Sequence, residues 1–276
     1  MTFAPQYKIL VLDLDGTLTN SNKEISPANK EALMKAQMMG VRIVLASGRP
    51  TYGIEPLARE LELDRFGGFI LSFNGGQIID YANKSILFER TVPLHLIPEI
   101  YQAACDFELS VVSYSNEAIL TETPDDQYVC HEAWLNKMPI KEIDSFVETI
   151  QSGVPKCLLL GDGDQVGAVE QQISARLPDL NIYRSEPFFL EVMPQGIDKA
   201  QSLARLLEHL NLNPNQMMAC GDGFNDLSMI QFAGLGVAMS NAQPAVKAAA
   251  GYITLSNDHD GVAHAVERFI LGNHQN

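Results

Sequence analysis

Short apolar runs rich in Val, Ile and Leu alternate with longer amphipathic segments in the first third of the chain. The apolar runs cover positions 9–12, 41–46 and 69–73, and helical periodicity appears near 27–39 and 50–61 between them. Strands that are buried on both faces are typically continuous apolar runs of this length. The pattern therefore predicts a β-α-β-α-β unit with a parallel sheet.

The first of these helices has recognisable ends. Ser26 is followed by Pro27, which is the usual order of an N-cap and a first helical residue, and Gly40 stands where a left-handed residue would end the helix. We therefore expect a helix from Pro27 to about Met39.

The alternation stops after the tripeptide Asn74-Gly75-Gly76. Segments 77–80 and 85–91, joined by a turn at 81–84, read as a β-hairpin. Helical patterns near 94–107 and 166–177 then mix with strand-like segments, which lie at 109–114, 119–122, 156–160, 182–185 and 188–193. This stretch predicts an α+β domain that is inserted into the first one.

From Asp198 the alternation of helices and strands resumes. Helices are expected at 199–210, 226–233, 242–250 and 261–271, and strands at 217–220, 236–239 and 252–255. The predicted fold class is α/β, with a doubly wound, mostly parallel, Rossmann-like sheet. Residues 1–84 and 190–276 would form this core, and residues 85–189 the inserted α+β domain.

Composition and charge limit the classes of ligand. The 276 residues are 46% hydrophobic and 19% charged, which is ordinary for a globular protein. The formal net charge of −15 disfavours long-range attraction to nucleic acid or to an anionic membrane surface. A phosphate-bearing ligand would therefore need a local positive site. No pattern in the chain predicts an oligomeric state.

The cysteines and the apolar stretches bear on location. Four cysteines are widely scattered with no Cys-x-x-Cys pair, at Cys105, Cys130, Cys157 and Cys220. Residues 1–7 lack the features of a secretory leader, and no apolar stretch approaches the ~20 residues that span a bilayer. We therefore expect a cytoplasmic protein with reduced thiols.

Two carboxylates follow the first predicted strand, at Asp13 and Asp15, and they lead directly into Gly16. Side chains at i and i+2 of an extended strand point to the same face, so this pair is suited to binding a metal ion or sharing a proton. Taken alone, the sequence is equally consistent with an ordinary turn. Other polar clusters follow apolar segments, however, at Ser47-Gly48-Arg49, Asp198-Lys199 and 221–226.

These clusters, in this order, resemble the four motifs of the haloacid dehalogenase-like phosphatases. The matching residues are Asp13-Leu14-Asp15-Gly16-Thr17, Ser47, Lys199 and Gly221-Asp222-Gly223-Phe224-Asn225-Asp226. The insert after the third strand is similar to the C2-type cap of the Cof-type branch (subfamily IIB). Within that branch the chain most resembles the sugar phosphatases of the YidA kind. The chain departs from the family pattern at two positions. Glycine is usual where this chain has Ala200, and glycine or aspartate is usual where it has Ser240.

The resemblance implies a Mg²⁺-dependent phosphatase that hydrolyses small phosphorylated metabolites, most of all sugar phosphates. Asp13 would be the nucleophile that forms an aspartyl-phosphate, and Asp15 the general acid and base. Asp13, Asp222 and the backbone carbonyl of Asp15 would hold Mg²⁺. Phosphate would be bound by Ser47, Gly48, Lys199 and Asn225, while Asp226 would orient Lys199. Hard oxygen ligands suit Mg²⁺ better than Zn²⁺.

The inserted domain would act as a lid that selects the leaving group. Candidate lid residues are Asp126, His131, Glu132 and Arg184. Two alternatives to hydrolysis remain open at this point. A phosphomutase would share the aspartyl-phosphate, whereas a phosphoacceptor signalling module would carry its acceptor aspartate after the third strand, where this chain has Phe73-Asn74.

Overall fold

The computed structural model describes residues 6–272, and its contacts divide the chain into two compact units. Within the described residues, the first unit comprises 6–48, 54–88 and 198–272. The second comprises Arg49–Gly53 and Glu89–Ile197.

Strands and helices alternate along most of the described chain. The strands are β1 Ile9–Leu12, β2 Arg42–Ala46, β3 Phe69–Ser72, β4 Gln77–Asp80, β5 Ser85–Glu89, β6 Ser110–Tyr114, β7 Ile119–Thr121, β8 Ile140–Glu142, β9 Cys157–Leu160, β10 Leu180–Glu186, β11 Phe189–Pro194, β12 Met217–Gly221, β13 Leu235–Ala238 and β14 Tyr252–Ile253. The α-helices are α1 Pro27–Met38, α2 Thr51–Glu60, α3 Leu63–Phe66, α4 Ile97–Asp106, α5 Gln127–Asn136, α6 Phe146–Thr149, α7 Gly163–Arg176, α8 Lys199–His209, α9 Leu227–Phe232, α10 Pro244–Ala249 and α11 Gly261–Phe269.

The first unit is built on an eight-stranded sheet with the order β14-β13-β12-β1-β2-β3-β4-β5. Neighbours from β14 to β3 run parallel, and β4 pairs antiparallel with β3. The chain proceeds outward from β1 in one direction through β2 and β3, and in the other through β12 and β13. The order therefore reverses at β1 and β12, which is the position where open α/β sheets bind ligands. The predicted doubly wound, mostly parallel α/β core is confirmed.

The central strands are apolar throughout because both of their faces are covered. All four residues of β1 are fully buried, in one apolar cluster with the strands beside it and the helices over them. Helix α1 begins as expected, with the Ser26 hydroxyl accepting from the Asn29 amide at 3.1 Å and Pro27 in the first turn. Gly40, just beyond its end, has φ +86°, which only glycine adopts without strain.

The second unit contains a six-stranded sheet with the order β10-β11-β9-β6-β7-β8. Neighbours are antiparallel except for the pair β7 and β8. One face of this sheet joins α4 and α7 in an apolar cluster that includes Val111, Leu159 and Val192. This matches the predicted α+β insert.

Two strands decide where the units divide. β5 pairs in the eight-stranded sheet and β11 in the six-stranded sheet. The boundaries therefore fall after Phe88 and after Ile197, rather than after residues 84 and 189. Each strand follows its hydrogen-bonded partners, β4 for β5 and β9 for β11, which the sequence pattern does not reveal.

Helix α5 and strand β8 are absent from the predicted elements. The buried positions of α5 are Val129, Glu132 and Asn136, so two of the three are polar. A helix whose buried face carries an acid and an amide lacks the apolar stripe that a periodicity search detects.

Among residues 6–272, no helix is long and apolar enough to cross a membrane. The expectation that the amino terminus carries no leader rests largely on residues 1–5, which lie outside the described residues.

Candidate active site

Four polar residues follow neighbouring parallel strands of the first unit. Asp13 follows β1, Ser47 follows β2, Asn74 lies two positions beyond β3, and Asp222 follows β12. Leu12 is in register with Leu45 on one side and with Cys220 on the other. Because these strands end at the same edge, residues more than 200 positions apart meet in the first unit.

The most buried part of this group is a lysine between two carboxylates. The Nζ of Lys199 donates to Asp13 Oδ1 and to Asp226 Oδ1, both at 2.6 Å. Lys199 and Asp226 are fully buried, and Asp13 is only 6% exposed. A charge with so little access to water is tolerated only when it is paired in this way.

Lys199 owes its position to the start of α8. Asp198 caps this helix, its Oδ1 accepting from the Gln201 amide at 3.0 Å, and Lys199 is the first helical residue. The same Asp198 oxygen accepts from the Ser228 hydroxyl at 3.2 Å, which ties the cap to α9.

Asp226 has both carboxylate oxygens engaged. Its Oδ1 accepts from Lys199, while its Oδ2 accepts from the backbone amides of Asp222 and Gly223, each at 2.9 Å. Asp226 thereby fixes the turn after β12 and the lysine together.

Asp222 is held by the turn after β1. Its Oδ1 accepts from the Thr17 hydroxyl at 2.8 Å. Gly16 passes close by with φ +80°, and a Cβ on Gly16 would lie 2.8 Å from Asp222 Cγ. Only glycine allows both this backbone conformation and this approach.

Carboxylate oxygens of Asp13, Asp222 and Asp226 lie within 4.8 Å of one another and could together hold a metal ion. Because Asp226 is already committed to Lys199 and two amides, Asp13 and Asp222 are the members best placed to contribute metal ligands. Hard carboxylate oxygens with no sulfur or imidazole among them fit Mg²⁺.

The ionisation behaviour of the group reflects an excess of negative charge. Burial, with the neighbouring Asp226, raises the pKa of Asp13 well above its usual value even though Lys199 opposes this. Burial likewise raises the pKa of Asp222 to about 6. Burial lowers the pKa of Lys199, but Asp13 and Asp226 outweigh it and the net pKa is raised. Lys199 therefore stays a cation. A divalent cation bound beside Asp13 and Asp222 would stabilise the ionised form of both acids.

Ser47, Gly48, Asn74 and Asn225 form a second polar group at the same edge. Ser47 is 3% exposed, and its carbonyl accepts from the Asn74 amide at 2.9 Å. A Cβ on Gly48 would lie 3.2 Å from Asn74 Nδ2. The Asn225 side chain donates to Asn74 Oδ1 at 3.1 Å. Asn74 therefore connects the end of β3 with the loop after β12.

Asp15 is not one of the three grouped carboxylates. Its Oδ1 accepts from Lys23 Nζ at 2.7 Å, and both side chains are about two-fifths exposed, at 40% and 42%. The two acids of the first motif thus have different environments, one buried beside Lys199 and one partly in solvent.

Comparison with known proteins agrees with this arrangement. Residues 10–266 match the family model described as haloacid dehalogenase-like hydrolase. The chain belongs to the haloacid dehalogenase-like hydrolases. The resemblance read from the four motifs is thereby confirmed. The expected enzyme class, a phosphatase of small phosphorylated substrates, is confirmed by the phosphatases to which the chain is similar.

Relatives of this hydrolase share nearly its whole length. It is 33% identical over 264 residues to the 5-amino-6-(5-phospho-D-ribitylamino)uracil phosphatase YcsE of Bacillus subtilis (strain 168), covering 96% of each chain. A haloacid dehalogenase-like hydrolase structure from Bacteroides thetaiotaomicron is 54% identical, with a TM-score of 0.93 and coverage of 95% of this chain and 99% of that one.

A third similar protein is described as the subclass IIB sugar phosphatase BT4131. Its structure is 25% identical, with a TM-score of 0.81, and the match covers 95% of this chain and 98% of that one. The Cof-type branch expected from the sequence corresponds to this subclass.

The four candidate lid residues of the hydrolase lie in the second unit. Asp126 caps α5, its Oδ1 accepting from the Tyr128 amide at 2.8 Å. His131 is exposed on α5, with its ring 5.7 Å from that of Phe188. Glu132 is 5% exposed and accepts from Tyr114 Oη at 2.6 Å.

Arg184 is separated from Glu132 by the sheet of the second unit. Arg184 Nε lies 2.9 Å from Glu170 Oε2 on α7, which packs on the apolar face together with Leu180. Glu132 contacts Tyr114 of β6. Val111, three positions earlier on the same strand, belongs to that apolar cluster, and Tyr114 does not. Alternate strand residues point to opposite faces, so the structure does not bring these two candidates together.

Several contacts were not predicted from the sequence. Thr17 belongs to the first motif and Asn74 to the tripeptide after the third strand, but no sequence pattern indicated that they bind Asp222 and Asn225. In the second unit, Lys156 and Glu191 form an ion pair of 2.9 Å with side chains 5% and 10% exposed. A lysine and a glutamate placed inside otherwise apolar strand segments were the available signal for this pair.

Proposed function

We propose that this hydrolase is a Mg²⁺-dependent phosphatase of phosphorylated sugars and related polyhydroxylated metabolites, acting through an aspartyl-phosphate on Asp13. The observation that carries the proposal is the placement of Lys199 between Asp13 and Asp226, with Nζ 2.6 Å from each, beside Asp222. A cation held at a carboxylate that must meet a dianionic phosphate is what nucleophilic attack there requires.

Asp13 would attack phosphorus in line with the leaving oxygen. Since its Oδ1 accepts from Lys199, we assign the attack to Oδ2. The new bond joins Oδ2 to phosphorus as the bond between phosphorus and the leaving oxygen breaks. Lys199 then offsets charge on the transferred group, and Asp226 keeps the lysine in place.

Asp13 and Asp222 would hold Mg²⁺, with the Asp15 backbone carbonyl added by family resemblance. The ion would supply charge neutralisation between the carboxylates and the phosphate. The bonds from Thr17 to Asp222 and from Lys199 to Asp13 fix the orientation of these ligands.

The phosphate oxygens would be bound by groups that follow β2 and β12. The Ser47 hydroxyl, the Gly48 amide and the Asn225 side chain are proposed to donate to them. The bond from Asn225 to Asn74 and the close approach of Asn74 to Gly48 support this, because both Asn225 and Gly48 are then neighbours of one residue, Asn74.

Asp15 would move the protons. In the first step it gives a proton to the leaving alkoxide, and in the second it takes one from the water that attacks the phosphorus of the aspartyl-phosphate. The bond between phosphorus and Asp13 then breaks and inorganic phosphate is released. Asp15 ends protonated, as it began, so the cycle balances.

The proposed substrate class rests on the relatives. YcsE is named for a ribityl phosphate and BT4131 for sugar phosphates, so both names refer to a phosphate ester on a polyhydroxylated carbon chain. We propose that residues 89–197 serve as the lid that selects the leaving group, with Asp126, His131 and Glu132 among the residues involved. A cytoplasmic location stays a prediction.

The test is a screen of phosphorylated metabolites for release of inorganic phosphate, with and without Mg²⁺. We expect Mg²⁺-dependent hydrolysis with hexose or pentitol phosphates among the best substrates. Asp13→Asn should remain folded and lose turnover.

Three results would overturn the proposal. Wild-type hydrolysis by Asp13→Asn would exclude the nucleophile, and full activity after metal removal would exclude the Mg²⁺ role. Conversion of a sugar phosphate into positional isomers with no free phosphate would identify a phosphomutase instead.

A further inference from the structure

The Asp15 carboxylate is engaged by a lysine from a nearby turn of the first unit. Lys23 Nζ donates to Asp15 Oδ1 at 2.7 Å. The chain turns back between these two residues, with isolated bridges from Asp15 to Thr19 and from Thr19 to Ile25. Both side chains are about two-fifths exposed. The ion pair therefore joins the Asp15 carboxylate to the turn that carries Lys23.

The position of Lys23 is set by its own turn, residues 19–26. Lys23 has φ +63°, a left-handed conformation that is costly for a side chain with a Cβ. Asn20 holds it there, because its Oδ1 accepts from the amides of Asn22 and Glu24, at 3.0 and 3.1 Å. The Lys23 amide also donates to the Asn20 carbonyl at 2.9 Å. The strained backbone is therefore over-determined by hydrogen bonds.

A second segment, residues 256–260, fastens the 19–26 turn from the far end of the chain. Asp258 accepts from both the amide and the hydroxyl of Ser21, each at 2.7 Å. The buried Asn257 side chain donates to the Thr19 carbonyl at 3.0 Å, and the Ser26 hydroxyl donates to Asp260 at 2.5 Å.

Asn241 extends this network to the residue after Asp15. Its Nδ2 donates to the Gly16 carbonyl at 2.8 Å, while its Oδ1 accepts from the Asn257 amide at 3.1 Å. Backbone carbonyls at Gly16 and Thr19, on the carboxyl side of Asp15, thus both bind amide side chains that are linked to each other.

We propose that Lys23 is a positioning residue for Asp15, and that Asn241, Asn257 and Asp258 act as a latch that holds the 19–26 turn so that Lys23 reaches it. This inference rests on the proposed role of Asp15 in proton transfer. The lysine binds Oδ1 and so directs the proton to Oδ2. The ammonium group can donate to Oδ1 whether Asp15 is a carboxylate or a carboxylic acid, since the acid's carbonyl oxygen also accepts.

The segment 256–260 gains a function from this arrangement. The proposed strand-end chemistry involves none of its residues. Hydrogen bonds to Asn257, Asp258 and Asp260 hold the 19–26 turn, and so fix the backbone that carries Lys23.

The test compares two substrates that differ in their need for a general acid. An alkyl phosphate such as a hexose phosphate has a poor leaving group that must be protonated, whereas p-nitrophenyl phosphate has a good one. Lys23→Met keeps the length of the side chain and removes the donor. We expect kcat/KM to fall about tenfold for the alkyl phosphate and less than about twofold for p-nitrophenyl phosphate. Lys23→Arg should restore most of the loss.

Lys35→Met is the matched control. It breaks an equally short ion pair, 2.7 Å between Lys35 and Glu31 on α1, and should leave both substrates unaffected. Equal losses with the two substrates in Lys23→Met, or no loss with either, would overturn the positioning role.

The latch has its own variant. Asp258→Ala leaves Lys23 intact and removes both bonds to Ser21, and it should reproduce the selective loss for the alkyl phosphate. Asp106→Ala removes an exposed carboxylate that binds Gln102 at 2.8 Å and is its control. Wild-type selectivity in Asp258→Ala would overturn the latch.

Failure of this inference can be told apart from failure of the proposed function. If the wild-type protein releases no phosphate from either substrate, the proposed function has failed. If the wild type is active and Asp15→Asn loses the alkyl phosphate selectively while Lys23→Met does not, only the role of Lys23 is refuted.

Discussion

Lys199 and Asp226 form an ion pair in which both side chains are fully buried, with Nζ 2.6 Å from Oδ1. Lys199 also binds Asp13 at the same distance, so one cation stands between two acids. Without the Lys199 ammonium group, the buried carboxylates of Asp13 and Asp226 would have at most one divalent ion to neutralise their negative charge.

Replacement of Lys199 should therefore affect both stability and turnover. In Lys199→Met we expect a loss of about 3–5 kcal/mol in the free energy of unfolding, because a buried charge pair is broken on one side only. Phosphate release should fall by at least about 100-fold, since an electrostatic donor at the reacting group is lost. Urea unfolding and a phosphate assay measure the two effects.

Asp226→Asn serves as the comparison for Lys199→Met. An amide has one acceptor oxygen, so it cannot serve both Lys199 and the two backbone amides that Asp226 now binds. We expect a smaller loss of stability than in Lys199→Met. A Lys199→Met protein as stable as the wild type would contradict the pairing described for the site.

The Gly16 position should be intolerant of any side chain for two separable reasons. Gly16→Ala introduces a Cβ at φ +80° and also places it 2.8 Å from Asp222 Cγ. Gly40→Ala introduces the same kind of strain at φ +86° with no atom within 4 Å. We expect both to lose about 1 kcal/mol from the backbone conformation.

Gly16→Ala should lose further stability and bind Mg²⁺ more weakly, because Asp222 must move. Calorimetric titration of Mg²⁺ and urea unfolding would measure this difference between the two glycine variants. If the two glycine variants had equal stability and bound Mg²⁺ equally well, movement of the Asp222 side chain would have no effect on either property.

The acidity of Asp222 gives a pH dependence with a definite sign. Burial raises its pKa to about 6, above the value of about 4 in an unfolded chain. Between these values the metal-free folded state binds more protons than the unfolded state, so this contribution to stability falls as pH rises. We expect the stability of the metal-free wild type relative to Asp222→Asn to be greater at pH 4.5 than at pH 7.5.

Asp258→Asn provides a control of opposite sign. Hydrogen bonds from Ser21 lower the pKa of Asp258, so its contribution is present at neutral pH and is lost as the pH falls. Thermal unfolding in the presence of a chelator at several pH values measures both variants. A wild-type advantage over Asp222→Asn that does not change with pH would contradict the description of Asp222.

The buried pair of the second unit allows a test of stability apart from the strand-end chemistry. Lys156 and Glu191 lie 2.9 Å apart, and the Glu191 and Glu132 carboxylates raise the pKa of Lys156 against the lowering effect of burial. Lys156→Met should cost about 3–5 kcal/mol, and Lys156→Met with Glu191→Leu should recover most of it. Urea unfolding of the single and double variants would decide, and equal losses in both would contradict the pairing.

Much of the fold could be read from local patterns. The positions of β1, α1, β2 and α8 follow from apolar runs and capping residues, and all four agree with the structure to within two residues. Those signals are local and strong. Helix α5 was missed because Glu132 and Asn136 occupy its buried face.

The unit boundaries illustrate the opposite case. The residues of β5 and β11 are strand-like in the sequence, but strand character alone does not name a partner. β5 continues the sheet that contains β4, and β11 joins β9 and β10. Hydrogen bonding across the sheets, and no property of either segment, places the boundaries after Phe88 and Ile197.

By itself, the sequence determined most of the order of the elements, the acids at the ends of strands, the lysine at the start of α8, and the family. Such features depend on hydrophobic period and on motif spacing, which are carried by neighbouring residues. Only the tertiary structure decided that Asp226 binds Lys199 and two backbone amides, that Thr17 binds Asp222, and that Lys23 binds Asp15. The reason is that hydrogen bonds between distant residues depend on how sheet order and turn conformation bring their atoms together, and no local pattern records those distances.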